Sequence, residues 1–252
     1  MKIVFDIGGS KMRVAKSLDN NTLTKTIVVR TPKNFTKGYE KLTELISELA
    51  GKKSITAIAG GFAGTFDTAK TQLVFATNLS DWSNQILLAN LRRAFRCPVK
   101  LDNDAALGAL GEACFGAGKN LAAVAYITIG TGIGGAWVIN GKLINSGYNS
   151  EPGQQHLQYN KPQTWEQFIK GSHRSKRAQY LVIGLANTLM HWPSDILVLG
   201  GGGSLHGNWN LKKIQSELSK LLPFYPKPPQ VALAKLGDKS ALFGALQLLR
   251  QY

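Results

Sequence analysis

Three glycine-rich turns, each following an apolar run, punctuate this chain in a fixed order, with one acidic cluster between the first and the second. Asp6-Ile7-Gly8-Gly9-Ser10-Lys11 follows the strand-like residues 2–5. Gly130-Thr131-Gly132-Ile133-Gly134-Gly135 follows 121–129, and Gly200-Gly201-Gly202-Gly203-Ser204 follows 195–199. Glycine lets backbone N–H groups turn toward a ligand without interference from a β-carbon, so a strand running into a glycine turn makes a cradle for phosphate. One such turn says little, since Gly8-Gly9 between two strands is also an ordinary type I′ hairpin signal. Three of them, with Leu101-Asp102-Asn103-Asp104-Ala105 in between, point to a nucleotide held between two related domains with a carboxylate aimed at its reactive end.

The rest of the chain alternates strands and helices, the pattern of an α/β protein. Residues 2–5, 12–17 and 23–30 read as strands broken by Gly and Asn/Asp turns. Tyr39, Leu42, Leu45, Ile46 and Leu49 have the spacing of an amphipathic helix over 34–49. A strand at 54–60, a helix at 84–95 and a short strand at 99–101 lead to the acidic cluster, and an Ala- and Leu-rich helix covers 105–115. The second half carries strands at 121–129, 135–139 and 196–199 and helices at 165–170, 175–191 and 211–222. Prolines at 223, 226, 228 and 229 make a stiff connector. The strand–turn–strand units at 2–17 and 121–140 look like two copies of one design. The domain boundary falls near 105–118, giving a small N-terminal α/β domain over 1–110 and a C-terminal nucleotide- and sugar-binding domain over 111–239.

At 252 residues, 44% hydrophobic and 18% charged, the chain is long enough to bury a sizeable core and reads as globular. No stretch approaches the ~20 apolar residues of a membrane span. The N-terminus shows no apolar segment followed by a small-residue cleavage site. The two cysteines, Cys97 and Cys114, have no metal-like spacing and read as reduced, buried thiols of a cytoplasmic protein. Against 15 acidic residues stand 30 Lys and Arg, a net charge of +15 that attracts anionic substrates and polyanions. The basic residues are spread from Lys2 to Arg250 with one modest cluster at His173-Arg174-Ser175-Lys176-Arg177, so a generally basic surface is expected rather than nucleic-acid recognition.

The ordered set of motifs resembles the ROK family of sugar kinases and repressors, within the superfamily of actin-like, Hsp70-like and hexokinase-like ATPases. The likeness runs from Met1 to the final helix at 241–252. It implies an actin-like ATPase (ribonuclease H-like) fold with two related domains, a central cleft, and the 240–252 helix packing back on the first domain. Asp6 to Lys11 matches the first phosphate motif. Asn103-Asp104-Ala105 matches the catalytic motif, residues 128–135 the second phosphate motif, and 196–204 the adenosine turn. Asn78 to Trp82 resembles the family's Asn-x-x-x-Trp sugar segment. The resemblance implies transfer of the γ-phosphoryl group of ATP to a hexose, most naturally glucose at its 6-hydroxyl. Phosphoryl transfer then needs positioning, charge neutralisation and a base for the acceptor hydroxyl. It makes Asp104 that base, although an Asp opening a helix is also an N-cap. Asn103, Asn78, Glu151 and Glu166 become sugar contacts. The resemblance sets Asp6 facing Mg²⁺ through water, as this ion commonly keeps several waters. Gly8, Gly9, Ser10 and Lys11 surround the donor phosphates, joined by Gly130, Thr131 and Gly132, while Gly201 and Gly202 lie along the adenosine. A homodimer is in keeping with the family.

The departures are as informative. Family kinases place a zinc-binding Cys-x-Cys-Gly-x-x-Gly-Cys run after a Glu-x-Gly-His segment. Here 158–164 contains no cysteine, and the His position is Gln154 in Glu151-Pro152-Gly153-Gln154, so no zinc site is expected. His156 is either a substitute or a surface histidine, and Trp82 either a sugar neighbour or a core aromatic. No helix-turn-helix precedes the first strand, so the DNA-reading module of the family's repressors is missing. Polyphosphate-using glucokinases resemble this family and lack the zinc run too. Inorganic polyphosphate is therefore the alternative donor, and a non-catalytic sugar-binding protein the alternative of a different class.

Overall fold

The first apolar run becomes the central strand of a five-stranded sheet. The computed structural model describes residues 1–76, 78–144, 148–206 and 209–250. They form two units, the first comprising Met1–Gly111 with 148–149 and 239–250, the second Glu112–Ile144 and Ser150–Asp238. In the first, β1 (Lys2–Ile7) pairs antiparallel with β2 (Lys11–Ser17), and β2 with β3 (Thr26–Arg30). After α1 (Phe35–Ala50) the chain returns as β4 (Ala57–Phe62), parallel to β1. A two-stranded ribbon, β5 (Thr65–Phe66) and β6 (Leu73–Phe75), precedes α2 (Leu87–Phe95) and β7 (Val99–Asn103), which is parallel to β4. The strand order is β3-β2-β1-β4-β7.

β1 is apolar throughout because both its faces are covered. Ile3, Phe5 and Ile7 join Leu42, Leu45, Ile46 and Leu49 of α1 in one core. Val4 belongs to a second core with Ala59, Leu107, Leu242, Ala245 and Leu246. Burying each of the four α1 side chains contributes about 1.5–3 kcal/mol, so packing rather than propensity holds that helix. Asn34 caps its N-terminus by accepting from Lys37 N, and Gly51 ends it at φ +56°.

α3 (Asp104–Phe115) follows β7 directly and carries the chain into the second unit. There β8 (Ala123–Ile129), β9 (Ile133–Ile139) and β10 (Lys142–Leu143) form an antiparallel meander. Two helices, α4 (Trp165–Gly171) and α5 (Arg174–His191), lead to β11 (Ile196–Gly200), parallel to β8. α6 (Gly202–His206) and α7 (Leu211–Leu221) precede β12 (Gln230–Leu233), parallel to β11. The strand order β10-β9-β8-β11-β12 repeats that of the first unit: three antiparallel strands, then two added parallel to the first. The duplication expected from the paired strand–turn–strand segments therefore extends to whole sheets. The chain ends in α8 (Ser240–Leu248), whose Gly244 crosses α3 so closely that a β-carbon there would lie 1.8 Å from the Leu107 carbonyl oxygen.

Several boundaries move. The helix expected from residue 84 starts at Leu87, because Asn84 is left-handed at φ +61° and donates to the Leu73 carbonyl. The proline connector feeds β12, which begins only after Pro229, where N–H donors resume. Cys97 is buried, whereas Cys114 is only half-buried, its thiol 3.9 Å from the Gly141 carbonyl.

Candidate active site

In the first unit the candidate residues gather at the C-terminal ends of three parallel strands. Register aligns Asp6 of β1 with Gly61 of β4, and Gly61 with Asp102 of β7. Asp6 is also opposite Arg13 in the β1–β2 hairpin, and Arg13 Nη1 donates to Asp6 Oδ2 at 3.2 Å. A β-carbon at Gly61 would meet Asp6 Oδ1 at 3.5 Å and the Asp104 Cα at 3.4 Å. Leu107 Cδ1 would be nearer still, at 3.3 Å, so the missing side chain lets Asp6 and the start of the following helix close on β4.

The turn joining β1 to β2 is not the type I′ hairpin its Gly-Gly pair suggests, since neither glycine has positive φ. Its three carbonyls are all engaged from one side. Gly8 O accepts from Thr31 Oγ1 at 2.7 Å, Gly9 O from Lys33 Nζ at 2.9 Å, and Ser10 O from Thr31 N at 3.0 Å. Lys33 Nζ also donates to Asn78 O at 2.8 Å. Gly9 in turn packs on Asn78, whose Cβ lies 2.7 Å from where a Gly9 β-carbon would sit. Lys11, expected as the phosphate cation, has an exposed side chain at the start of β2. The ammonium fixed at this turn belongs to Lys33, which the motif did not single out.

At the end of β7 the three acidic-cluster residues take different parts. Asp102 is buried and paired with Lys70 at 3.0 Å, and its Oδ1 also accepts from Asn103 N at 2.8 Å. Lys70, left-handed at φ +55°, donates to Asn149 Oδ1 as well. Asn103 is the cap of α3. Its Oδ1 accepts from Ala105 N and Ala106 N at 2.9 and 3.1 Å, while its Nδ2 donates to Gly64 O at 3.0 Å. That corrects the capping role considered for Asp104, although Asp104 Oδ1 also lies 2.9 Å from Ala105 N. One amide N–H of Asn103 is left for another acceptor. Burial pushes the Asp104 carboxyl above the ordinary carboxylate range, with backbone N–H bonds from Ala105 and from its own residue pulling the other way. Trp82 is core: its ring lies over Gly38 of α1 and its indole N–H donates to Pro32 O at 3.1 Å.

In the second unit, the 130–132 turn is closed by Gly130 N donating to Gly132 O at 2.8 Å. Glu166 braces it. Its Oε2 accepts from Ile133 N at 2.8 Å, and Lys170 pairs with Oε1. Glu166 thus sits against the 130–132 turn. The four consecutive glycines divide between a strand end, a turn and a helix start. A β-carbon on Gly201 (φ +81°) would lie 2.5 Å from Ile129 O, whereas one on Gly202 would meet nothing within 4 Å. Packing against β8 explains much of the run, and Gly202 alone of the four opens onto free space.

Glu151 is exposed just before a 3-10 turn at Pro152–Gln154. Where the family's zinc loop would be, hydrogen bonds hold the chain. Gln155 Nε2 donates to Pro152 O at 3.0 Å and Gly184 O at 3.3 Å, and Gln155 Oε1 accepts from Asn187 Nδ2 at 3.1 Å. Thr164 and Gln167 form a capping box on α4, and Trp165 is fully buried over Gly184. His156 is exposed and bridges to Thr164 through its backbone, which makes it a surface histidine. Among the described residues, no three His, Cys, Asp or Glu side chains gather as a metal-ligand set. A divalent cation here would be held by one or two carboxylates with water and ligand oxygens, a manner Mg²⁺ commonly uses. Asp6, a carboxylate at the end of β1 with its Oδ1 on the Gly61 side, has the chemistry for that role.

Two sheets of this repeated topology, each with a glycine turn after its first strand, define the actin-like ATPase fold. The sequence model of the ROK family matches residues 2–170, and the chain belongs to that family. The glucokinase of Streptomyces coelicolor is 24% identical, the alignment spanning 100% of this chain and 98% of that protein. A ROK family glucokinase from Streptomyces griseus, solved in complex with glucose and AMPPNP, superposes with a TM-score of 0.85 at 25% identity, over 100% of this chain and 99% of its own. The inorganic polyphosphate/ATP-glucomannokinase of Arthrobacter sp. strain KM shares the fold, with a TM-score of 0.75 at 23% identity over 99% of this chain and 98% of its own. No helix among the described residues is long and apolar enough to cross a membrane.

Proposed function

We propose that this protein is a sugar kinase that transfers the γ-phosphoryl group of ATP to a hexose, with glucose at its 6-hydroxyl the foremost acceptor. The observation that carries this reading is Asp104. It stands at the start of α3, packed with Asp6 around Gly61, with a carboxyl pushed upward by burial. A carboxylate whose pKa is raised toward the working pH is a better acceptor for a hydroxyl proton. Asp104 takes the proton of the sugar hydroxyl as the phosphoryl group arrives, and the spare N–H of Asn103, with Asn78 and Glu151, orients the sugar.

The N–H groups of Gly8 and Gly130 close their own turns on Lys11 O and Gly132 O, so the donor phosphates bind the backbone N–H groups of Gly9 and Ser10 and of Thr131 and Gly132, and the adenosine lies along Gly201 and Gly202. Asp6 holds Mg²⁺ through water, and the ion neutralises charge on the donor oxygens when bound. Glu166 acts on the donor side, by keeping the 130–132 turn closed. The second reading, inorganic polyphosphate as donor, is favoured by one observation, the net charge of +15.

A panel of glucose, mannose, allose and N-acetyl hexosamines with Mg²⁺ and ATP, followed by coupled detection of ADP, tests the proposal. Glucose is expected to give the highest kcat/KM. Absence of turnover with every sugar and with both ATP and polyphosphate would leave a non-catalytic sugar-binding protein.

A further inference from the structure

The first phosphate turn can bind an anion only if its N–H groups face outward, and the peptide planes of three consecutive residues do not hold that orientation unaided. Thr31 and Lys33, in the link between β3 and α1, supply the restraint. Together they engage the carbonyls of Gly8, Gly9 and Ser10, at 2.7, 2.9 and 3.0 Å. A peptide's carbonyl and the following N–H point in opposite directions. Anchoring the Gly8 and Gly9 carbonyls therefore turns the N–H groups of Gly9 and Ser10 away from the 31–33 link. Among the described residues, neither N–H meets an acceptor. Lys33 does more than anchor: its ammonium bridges Gly9 O to Asn78 O. A single cation thus spans the donor turn and the segment assigned to the sugar.

We propose that Thr31 and Lys33 are positioning residues of the donor-phosphate turn, and that Lys33 couples donor and sugar binding by tying Gly9 to Asn78. The proposal rests on the kinase reading for its sugar half only. Lys33 acts through the backbone: its ammonium is committed to two carbonyl oxygens, so its loss changes the geometry of the turn as well as the local charge. Thr31 is buried at 3% exposure and contributes through its hydroxyl and its own N–H.

The test compares Lys33→Met with Lys37→Met, which removes an equal charge from an exposed lysine one helical turn further on. Affinities of the full chain for Mg-ATP and for magnesium tripolyphosphate are measured by calorimetry without sugar, and glucose affinity and KM separately. Lys33→Met is expected to weaken both donors about ten-fold, the scale of losing one charge-assisted hydrogen bond, and to raise the glucose constants in parallel. Lys37→Met is expected to change each less than about two-fold, in keeping with a screened surface charge. Thr31→Val is expected to weaken donor binding alone, and Thr31→Ser, which keeps the hydroxyl, to restore it. Equal losses in Lys33→Met and Lys37→Met would reduce Lys33 to general charge and overturn the proposal. So would unchanged donor affinity in both Lys33→Met and Thr31→Val, or a parent that binds neither donor. A parent that binds donor but phosphorylates no sugar would remove the kinase reading while the donor comparison still decides the role of Thr31 and Lys33.

Discussion

In the proposed mechanism Asp104 is under two opposing demands. As a base it must be ionised, and as a half-buried carboxyl it is destabilised by ionisation. Because its folded pKa lies above its unfolded value, the folded state holds the proton more tightly. Stability therefore falls as pH rises from the unfolded toward the folded pKa, and the loss persists above it. Asp104→Asn removes both the base and that loss. It is expected to lower kcat at least ~10²-fold while leaving sugar affinity within a few-fold and the Tm at neutral pH equal or higher. In the parent, activity should decline on acidification at a pH above the ordinary carboxylate value of about 3.9. Turnover within a few-fold of the parent, measured across pH, would take Asp104 out of the mechanism. The sequence singles out Asp104 because its motif is three adjacent residues. It does not single out the ammonium at the first turn, since Lys33 reaches Asn78 across 45 positions and no local pattern links them. Lys70 was hidden in the same way, its buried partner Asp102 lying 32 positions on.

Among elements, the long periodic ones could be read and the short ones could not. α1 shows four apolar positions on one face, whereas β5, β10 and β12 span two to four residues, too few for alternation to register. Over 158–164 the lack of cysteines can be read from the sequence, but the contacts that hold the chain there cannot. Gln155 joins the 3-10 turn after Glu151 to α5 by bonds to Pro152, Gly184 and Asn187, contacts up to 32 positions apart. Purified, chelator-treated protein is expected to hold well under one zinc per chain by metal analysis and to regain full activity with Mg²⁺ alone. Gln155→Leu, which strands the Asn187 and backbone partners, is expected to cost about 1–3 kcal/mol in chemical denaturation and to raise the sugar KM more than the donor KM. Stoichiometric zinc lost together with activity would show a metal staple built from other ligands.

For the whole molecule the open physical question is what an excess of 15 positive charges does. A long polyanion meets that field over many sites, and its binding weakens steeply as the Debye length falls from ~30 Å at 0.01 M salt to ~10 Å at 0.1 M. On the proposed reading ATP would be held mainly by turn amides and Mg²⁺ over a short span, so its binding should change much less. The two donors also differ at Gly202. A β-carbon there meets nothing within 4 Å, so a side chain is tolerated by the fold while intruding on an adenosine laid along the turn. Glucose phosphorylation is therefore expected to run at higher kcat/KM with ATP than with polyphosphate at moderate salt. The polyphosphate reaction should lose more activity than the ATP reaction between low and moderate salt. Gly202→Leu should raise the KM for ATP several-fold and leave that for polyphosphate unchanged. If kcat/KM for polyphosphate exceeds that for ATP at every salt concentration, and Gly202→Leu affects neither, the adenosine turn has no donor role and the basic surface is the donor site.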